Sequence, residues 1–587
     1  MNLVYSVFSK RLLVVMFLFL SIGSFSQFEQ VKVSKNPKTY CNPLNISYRF
    51  SIPNPGSREA ADPVLQVYKG KYYLFASKSG GYWYSTDMAK WIFVPISAKT
   101  LPIEQYAPTT FEYQGWLYYV GSVKTGTSGI IYKSQTPEKG EWTPIKEIKS
   151  DWDPSFLVEH DSLYLYAGCS NVAPIFSRVF DVKTLEILQD STVLFGSQTQ
   201  NHGFERPGDK NESNKNNPWM EGSWINKHKG TYYLQYSVPG TSSSSYCDGL
   251  YTASSPKGPF IFAPYSPVSY KPEGFISGAG HGAMAEVAPN NLQSVQTMRV
   301  SVVHGFERRV GLFKAGFDKD GYLYSDTYLG DYPTYTPLLK NKNSKPGWML
   351  LSANKKVEVS SNYQSSEGKK LTDCDVRTFW CAATANEGEY ATVDLGSNKT
   401  INSIQVNFAE AGATEMPNYY KGMRDVVEAY KLYVSLDGVK WSLIVDKSQD
   451  KEDHPNDYIE FEESFKARFV KVENVKFTAG LRFSIREIRV FGMGDGKLPV
   501  KTSGLKVVRN AEDACKAKLD WTKNNTADGY VIRFGVAADK LYNSIEILGN
   551  KTHYEMNCLN KGQQYYFQID AYNENGIMKG DELIKIE

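Results

Sequence analysis

The sequence predicts an all-β protein: a five-bladed β-propeller followed by two β-sandwiches. Three observations carry that prediction. Aromatic residues make up 14% of the 587, with 40 Tyr and 11 Trp, which suits pleated surfaces better than helical bundles. From about residue 60 to 330 a unit of roughly 40–60 residues recurs five times, each time a polar opening followed by two apolar or aromatic strands joined by a tight turn. No stretch there sustains a helical period. Beyond about residue 350 the texture changes to longer alternating strands, and a length of 587 residues calls for about three or four domains in any case.

The elements follow in order. Residues 1–26 read as an export signal, with Lys10 and Arg11, an apolar run from Leu12 to Ile22, then Gly23, Ser24 and Ser26. The apolar run is about half of the ~20 residues that span a bilayer, so no membrane span is expected once the signal is removed. With no Cys at its end a lipid anchor is not expected either, and the mature protein is placed in the periplasm or outside the cell.

Residues 27–345 form the propeller, whose units open near Asp62, Ala107, Asp153, Glu221 and His281. The hairpins share one grammar: an apolar strand, a Lys-Gly or Gln-Gly turn at 69–70, 114–115 and 229–230, then a second aromatic strand. Residues 350–495 make the first sandwich and, after a Gly/Lys/Pro linker, residues 500–587 make the second.

Composition excludes several functions. The net charge of +3 is spread without basic runs, so no nucleic-acid partner is indicated. The seven cysteines are odd in number and scattered, which argues against a disulfide framework, and only Cys374 and Cys381 stand close enough to suggest a local bridge. No Cys-x-x-Cys or His-Glu-x-x-His is present, so neither a structural zinc nor a zincin site is indicated. Oligomeric state is not legible.

Acids supply the chemistry. Asp62, in Ala-Asp-Pro, Asp153, in Asp-Pro-Ser-Phe, and Glu221, in Glu-Gly-Ser-Trp, each precede a strand pair, at the openings of the first, third and fourth units. Equivalent positions in a propeller converge on one axial pocket, and hydrolysis of a glycosidic bond needs two carboxyl groups in opposite protonation states on opposite faces of a sugar. These motifs, with Gly-Ala-Gly-His-Gly at 278–282, resemble glycoside hydrolase family 43, five-bladed propellers that act by inversion, over residues 40–335. The resemblance implies Asp62 as general base, Glu221 as general acid, and Asp153 as a third acid that orients Glu221 and favours its acid form by like-charge proximity. It implies His281 as an axial residue contributing to a bound cation or its waters, with no cofactor required for the chemistry itself.

Further substrate contacts are expected from Arg309 as a hydroxyl clamp, from Trp152 beside Asp153, and from His202 and Glu205 in a polar insertion at 201–217 that would overhang the pocket. The second blade opens Tyr106-Ala107-Pro108-Thr109, where many family members carry an Asp. Ser85-Thr86-Asp87 before Trp91 has the look of a sialidase Asp-box, but no arginine triad accompanies it and it reads as a hairpin turn.

Residues 355–493, through Thr378-Phe379-Trp380, Ala391 to Gly396, Ser435 to Gly438 with Trp441, Ala467 to Val472 and Arg486 to Gly492, resemble a discoidin, or coagulation factor five/eight type C, sandwich. That resemblance implies sugar binding and a structural calcium near Asp373, Asp375, Thr378 and Glu487, with Trp380 in the core. Trp521, Tyr530 and the strand from Tyr566 to Gly576 are placed as in a fibronectin type III module. The function implied is removal of terminal α-L-arabinofuranosyl or β-D-xylosyl units from plant polysaccharides, with β-D-galactofuranosyl, or a non-catalytic lectin, as the alternatives. A pure binder has no need of the third acid.

Overall fold

The computed structural model describes residue 28, residues 30–340 and residues 344–587, so the expected export signal lies outside the described residues. Five sheets form the propeller. Its innermost strands, Val64–Tyr68, Thr109–Tyr113, Ser155–Glu159, Glu221–His228 and Ser277–Ala288, neighbour one another in a closed ring. The first three blades are four-stranded antiparallel sheets. The turns behave as the residues require: Lys69–Gly70, Gln114–Gly115 and Lys229–Gly230 all have both φ values positive, between 47° and 84°, the hand that matches twisted two-strand ribbons.

The fifth blade closes the ring with both ends of the propeller segment. Strands Ser277–Ala288, Asn291–Arg299 and Arg308–Phe317 are joined at their outer edge by Arg58–Glu59 from the N-terminal segment, Glu59 pairing in parallel with Arg308. Thr39–Tyr40 pairs in turn with Thr334–Tyr335. His281 was expected to open this blade and instead lies within its innermost strand. Register shifts on both sides of Gly280 bulge the strand there and re-aim its side chains.

The first sandwich is built on a sheet ordered 349–350, 484–493, 390–408, 456–477, 428–435, 442–446. Its two long strands change register between Asp394 and Lys399 and again between Ile401 and Ser403, so each bends and serves both layers. Alternate residues Ile404, Val406 and Phe408 meet Leu432, Val434, Val470 and Val472 in the core, with Trp380 fully buried among them. The second sandwich stacks a sheet of Lys506–Arg509, Ala517–Asp520 and His553–Met556 on one of Asn543–Leu548, Gly529–Gly535, Tyr565–Asn573 and Gly576–Met578. Trp521 packs edge-on to Tyr530 in its core.

A seven-residue hairpin is used twice. Ser85-Thr86-Asp87-Met88-Ala89-Lys90-Trp91 of the first blade and Ser435-Leu436-Asp437-Gly438-Val439-Lys440-Trp441 of the first sandwich share Ser-x-Asp-x-x-Lys-Trp. In each, the Asp Oδ1 accepts the N–H groups two and three residues on, at 2.8 and 2.9 Å for Asp87 and 2.8 Å twice for Asp437. The short acid supplies the turn's missing acceptor, which is why the hairpin reading of Asp87 holds.

The polar insertion does not overhang the pocket. It is the seam with the second sandwich: Gly203 N–H donates to Leu559 O at 2.9 Å, Lys561 N–H to Asn201 O at 2.7 Å, and the buried Arg206 grips Asp513 at 2.6 and 3.0 Å. His202 and Glu205, expected as sugar contacts, are buried there, His202 Nδ1 lying 2.8 Å from Glu205 Oε1 while Tyr236 donates to the same oxygen at 2.6 Å. Sequence alone shows a polar loop; what covers it is a domain some three hundred residues later. All seven cysteines are free, Cys374 and Cys381 included. Among the described residues no helix is long and apolar enough to cross a membrane.

Candidate active site

One backbone device builds the site. The residue that leads each blade toward the axis has a left-handed conformation: Asp62 (φ 51°), Ala107 (38°), Asp153 (52°), Gly222 (62°) and His281 (45°). A hydroxyl of the preceding blade accepts four of these five N–H groups: Thr297 for Asp62 at 2.8 Å, Ser77 for Ala107 at 2.7 Å, Ser122 for Asp153 at 2.9 Å and Ser237 for His281 at 2.7 Å. The third blade has Gly168 where the others have the hydroxyl, and Gly222 N–H turns to Asp153 Oδ2 at 3.3 Å. Non-glycine residues held at positive φ cost about 1–3 kcal/mol each, a cost found where geometry is fixed for function. Gly222 has no freedom to be otherwise, since a Cβ there would lie 2.5 Å from Ser237 Oγ and 2.8 Å from the His281 ring.

The three acids therefore gather around His281, whose Nδ1 is 3.3 Å from Asp62 Oδ1 and 3.9 Å from Asp153 Oδ2. Burial opposes charge on the imidazole, but Asp62, Asp153 and Glu221 outweigh it and raise the His281 pKa. A nitrogen facing two carboxylates acts as a donor, so in this arrangement His281 presents its Nδ1 to the acids. The group of ligand-type atoms that lies within 4.8 Å of one another here is Asp153, Cys169 and Glu221.

Asp62 and Asp153 are both buried yet titrate in opposite directions. For Asp62, burial alone would raise the pKa, but Arg308 at 3.0 Å, His281 and the Ser77 hydroxyl at 2.5 Å together hold it below the usual value. Asp153 has no arginine. Its burial, then Glu221 and Asp62 against the partial relief of His281, push it up to about 7. Like-charge proximity of Glu221 and Asp62 thus acts on Asp153. Glu221 is the most open of the three, its Oε1 accepting from Tyr246 OH at 2.6 Å and its Oε2 from Cys169 Sγ at 3.2 Å.

Arg309 is not the site arginine. It donates to Arg58 O at 2.8 Å and to Glu410 Oε1 at 3.0 Å, inside the seam with the first sandwich. Side chains alternate along a strand, so its neighbour Arg308 is the one that faces the axis, holding Asp62 and reaching Glu59 at 3.4 Å. Trp152 is half-buried beside Asp153, its carbonyl accepting from Gly168 N–H at 3.0 Å. Sequence reasoning missed Arg308, Tyr246 and Cys169. The axial hydroxyls did carry a signal: Ser77, Ser122 and Ser237 each end a second strand of the repeat.

In the first sandwich Glu487 is fully buried with both oxygens 3.2 Å from Cys374 N–H, and burial together with Asp373 raises its pKa well above the usual range. Asp373 accepts from Thr378 Oγ1 at 2.7 Å. Asp375 is turned away into an ion pair with Arg377 at 3.1 Å and does not join them.

Residues 52–323 match the model of the glycosyl hydrolases of family 43, and residues 356–488 that of the F5/8 type C domain. No curated protein matches the chain. Similar solved structures include a xylan β-1,4-xylosidase from Bacillus halodurans, 13% identical over 93% of this chain and 92% of that one with a TM-score of 0.39. An endo-1,4-β-xylanase from Bacteroides thetaiotaomicron is 19% identical over 46% of this chain and 95% of its own, TM-score 0.36. An exo-1,5-α-L-arabinanase from a bovine ruminal metagenomic library is 18% identical over 47% and 100%, TM-score 0.36. With these two models matched in succession, the chain carries a family 43 glycosyl hydrolase domain over residues 52–323, an inverting glycoside hydrolase, and an F5/8 type C domain behind it over residues 356–488.

Proposed function

We propose that the protein is an exo-acting glycosidase that removes terminal α-L-arabinofuranosyl or β-D-xylosyl units from plant polysaccharides or their oligosaccharides. Asp62 acts as general base, Glu221 as general acid, and Asp153 positions Glu221 through the intervening Gly222 N–H. The observation that supports these roles is the opposed environment of two buried acids 3.3 and 3.9 Å from one imidazole, Asp62 kept ionised by Arg308 and Asp153 driven toward its neutral form. Inversion needs a carboxylate that takes a proton from water while an acid on the other side gives one to the leaving oxygen. Asp62, with an arginine and a hydroxyl fixing its oxygens, suits the first task. Glu221, partly open and held by Tyr246 and Cys169 from either side, suits the second.

Hydrolysis of 4-nitrophenyl arabinofuranoside, xyloside and galactofuranoside by the mature chain, with Asp62→Asn as control, tests the reading. Cleavage of arabinofuranoside or xyloside that the substitution abolishes supports it. Cleavage of galactofuranoside alone replaces the sugar, and no cleavage of any substrate favours a lectin. Glu221→Gln should depress turnover of natural glycosides far more than of nitrophenyl ones, whose leaving group needs little protonation.

For the first sandwich we propose a bound calcium held by the half-buried Asp373 and the buried Glu487, two acids whose like charges act on each other and whose oxygens fit the hard-oxygen preference of that ion. Asp375, spent on Arg377, is not part of this set. Calcium-dependent thermal stability, lost in Glu487→Gln, tests it.

A further inference from the structure

A second opening lies away from the acids, along the seam between the first blade and the first sandwich. It is a cleft of about 690 Å³, walled by the Trp83–Phe93 hairpin, the N-terminal segment near Asn45, and the 447–460 stretch of the sandwich. That volume falls within the ~300–1,000 Å³ of clefts that hold small molecules.

Its lining is aromatic and polar at once. Trp83 and Trp91 both carry a buried indole N–H with no acceptor among the described residues. Trp83 is only 1% exposed, so its N–H is cut off from bulk water. A buried donor in a native fold is nearly always satisfied, and an exception calls for a partner from outside the chain. Most charges of the cleft are already engaged: His454 lies 3.1 Å from both Asn45 Oδ1 and Glu452 Oε2, Asp453 pairs with Arg58, Asp457 with Lys447, and Glu460 accepts from Thr39 N–H at 2.8 Å, while the exposed Asp425 and Lys451 at the rim are of opposite sign. Arg424 lies flat on the Phe93 ring, 3.6 Å from its centroid, and donates to Ser47 Oγ at 2.9 Å and to the Ser79 carbonyl. With both signs of charge in the lining, the occupant that suits the aromatic wall brings hydroxyl oxygens and apolar ring faces.

We propose that this cleft is a second glycan-binding site, which takes a neutral oligosaccharide segment by stacking on the half-buried Trp91 and accepting from its indole N–H. Sugars have both required features, C–H faces for aromatic rings and oxygens for ring-edge donors. The site is built by both domains, so it exists only while the sandwich is seated against the propeller. It lies at the hairpin end of the first blade, separate from the axial acids, and suits holding a polymer while a different chain end is cut.

The choice of glycan rests on the function proposed above, but binding does not require turnover, so the two readings fail separately. The test uses the full chain carrying Asp62→Asn and affinity electrophoresis in gels containing arabinoxylan or linear arabinan. The expected result is retardation of the parent by at least one polymer, weakened roughly tenfold by Trp91→Ala, as for loss of a central aromatic anchor. His454→Ala, at the half-buried rim, should weaken it less and guards against misfolding of the tryptophan variant. Retardation equal to the parent in both variants, each with parental thermal unfolding, overturns the proposal, as does a parent that no polymer retards.

Discussion

Two buried clusters of arginines and acids meet back to back on the strand that begins at Arg308. On its axial face Arg308 joins Asp62, Glu59, His281 and Asp153. On the other, Arg309 joins Arg58, Arg486, Glu307 and Glu410 across the seam with the F5/8 type C sandwich, Glu410 lying 3.0 Å from Arg309, 2.8 Å from Arg486 and 3.8 Å from Arg58. The residues are of the same kinds and adjacent in sequence. What differs is closure: the second cluster is sealed between two domains with its charges paired, whereas the first opens at the propeller mouth and holds more acids than it has cations. A paired and sealed cluster fixes one packing of two domains. An acid-rich cluster that is only partly neutralised keeps one carboxyl ionised and another near neutral, which is what proton transfer requires.

That contrast can be broken from either side. The largest effect is expected in the open cluster, where Asp62→Asn should lower kcat by roughly 10²–10⁴-fold, as for loss of a general base, with the fold retained by circular dichroism. Next comes the closed cluster. Glu410→Gln leaves the buried Arg309 without its acid partner, while Arg58 keeps Asp453 and Glu428 and Arg486 keeps Glu307, and it should destabilise the protein by about 3–5 kcal/mol in denaturant unfolding, while the folded fraction keeps most of its turnover. If instead Glu410→Gln left stability intact and removed activity, the division of labour drawn here would be wrong.

A third test sharpens the comparison by pH. The Asp153 carboxyl binds its proton more tightly in the folded protein, near 7 against an ordinary 3.8, so the stability it contributes is complete below about 4 and is lost as pH rises through 7. Asp153→Asn cannot lose that contribution. Its melting temperature relative to the parent should rise by a few degrees, about 2–4 °C, between pH 4 and pH 8, and a constant difference across that range would count against the raised carboxyl. The smallest effect belongs to the exposed pair Arg468–Asp394, 2.8 Å apart but with the arginine 40% exposed. Arg468→Ala should change stability by less than about 1 kcal/mol, the usual value for such surface pairs.

Much of this was legible beforehand because it rests on local chemistry. Alternating aromatic strands with Lys-Gly and Gln-Gly turns specify twisted hairpins wherever they occur, so the blades could be counted. The repeat also put Asp62, Asp153 and Glu221 at blade openings, and equivalent openings must converge on an axis. Even the one-residue offset of Glu221 has a local sign, because Gly222 is the residue that takes the positive φ shared by Asp62, Ala107, Asp153 and His281.

Other assignments were beyond the sequence because they depend on contacts between distant segments. Nothing in Glu-Arg-Arg tells which arginine faces the acids, for a shift of one position in a strand exchanges its two faces, and only the pairing of Arg308 with Glu59 fixes it. His202, Glu205 and Arg206 look like a polar lid until Asp513 and Asn560 of the last sandwich cover them. Tyr246 and Cys169 carry no motif and reach Glu221 only because the third strand of its own blade and the end of the preceding blade fold inward. The sequence by itself determined the periods, the turns and the acids at the start of each unit, since these follow from the conformations that single residues and their near neighbours allow. The tertiary structure alone decided which side chains face the axis, which are sealed in a seam and where a second cleft opens, because those outcomes depend on what is packed against each face from elsewhere in the chain.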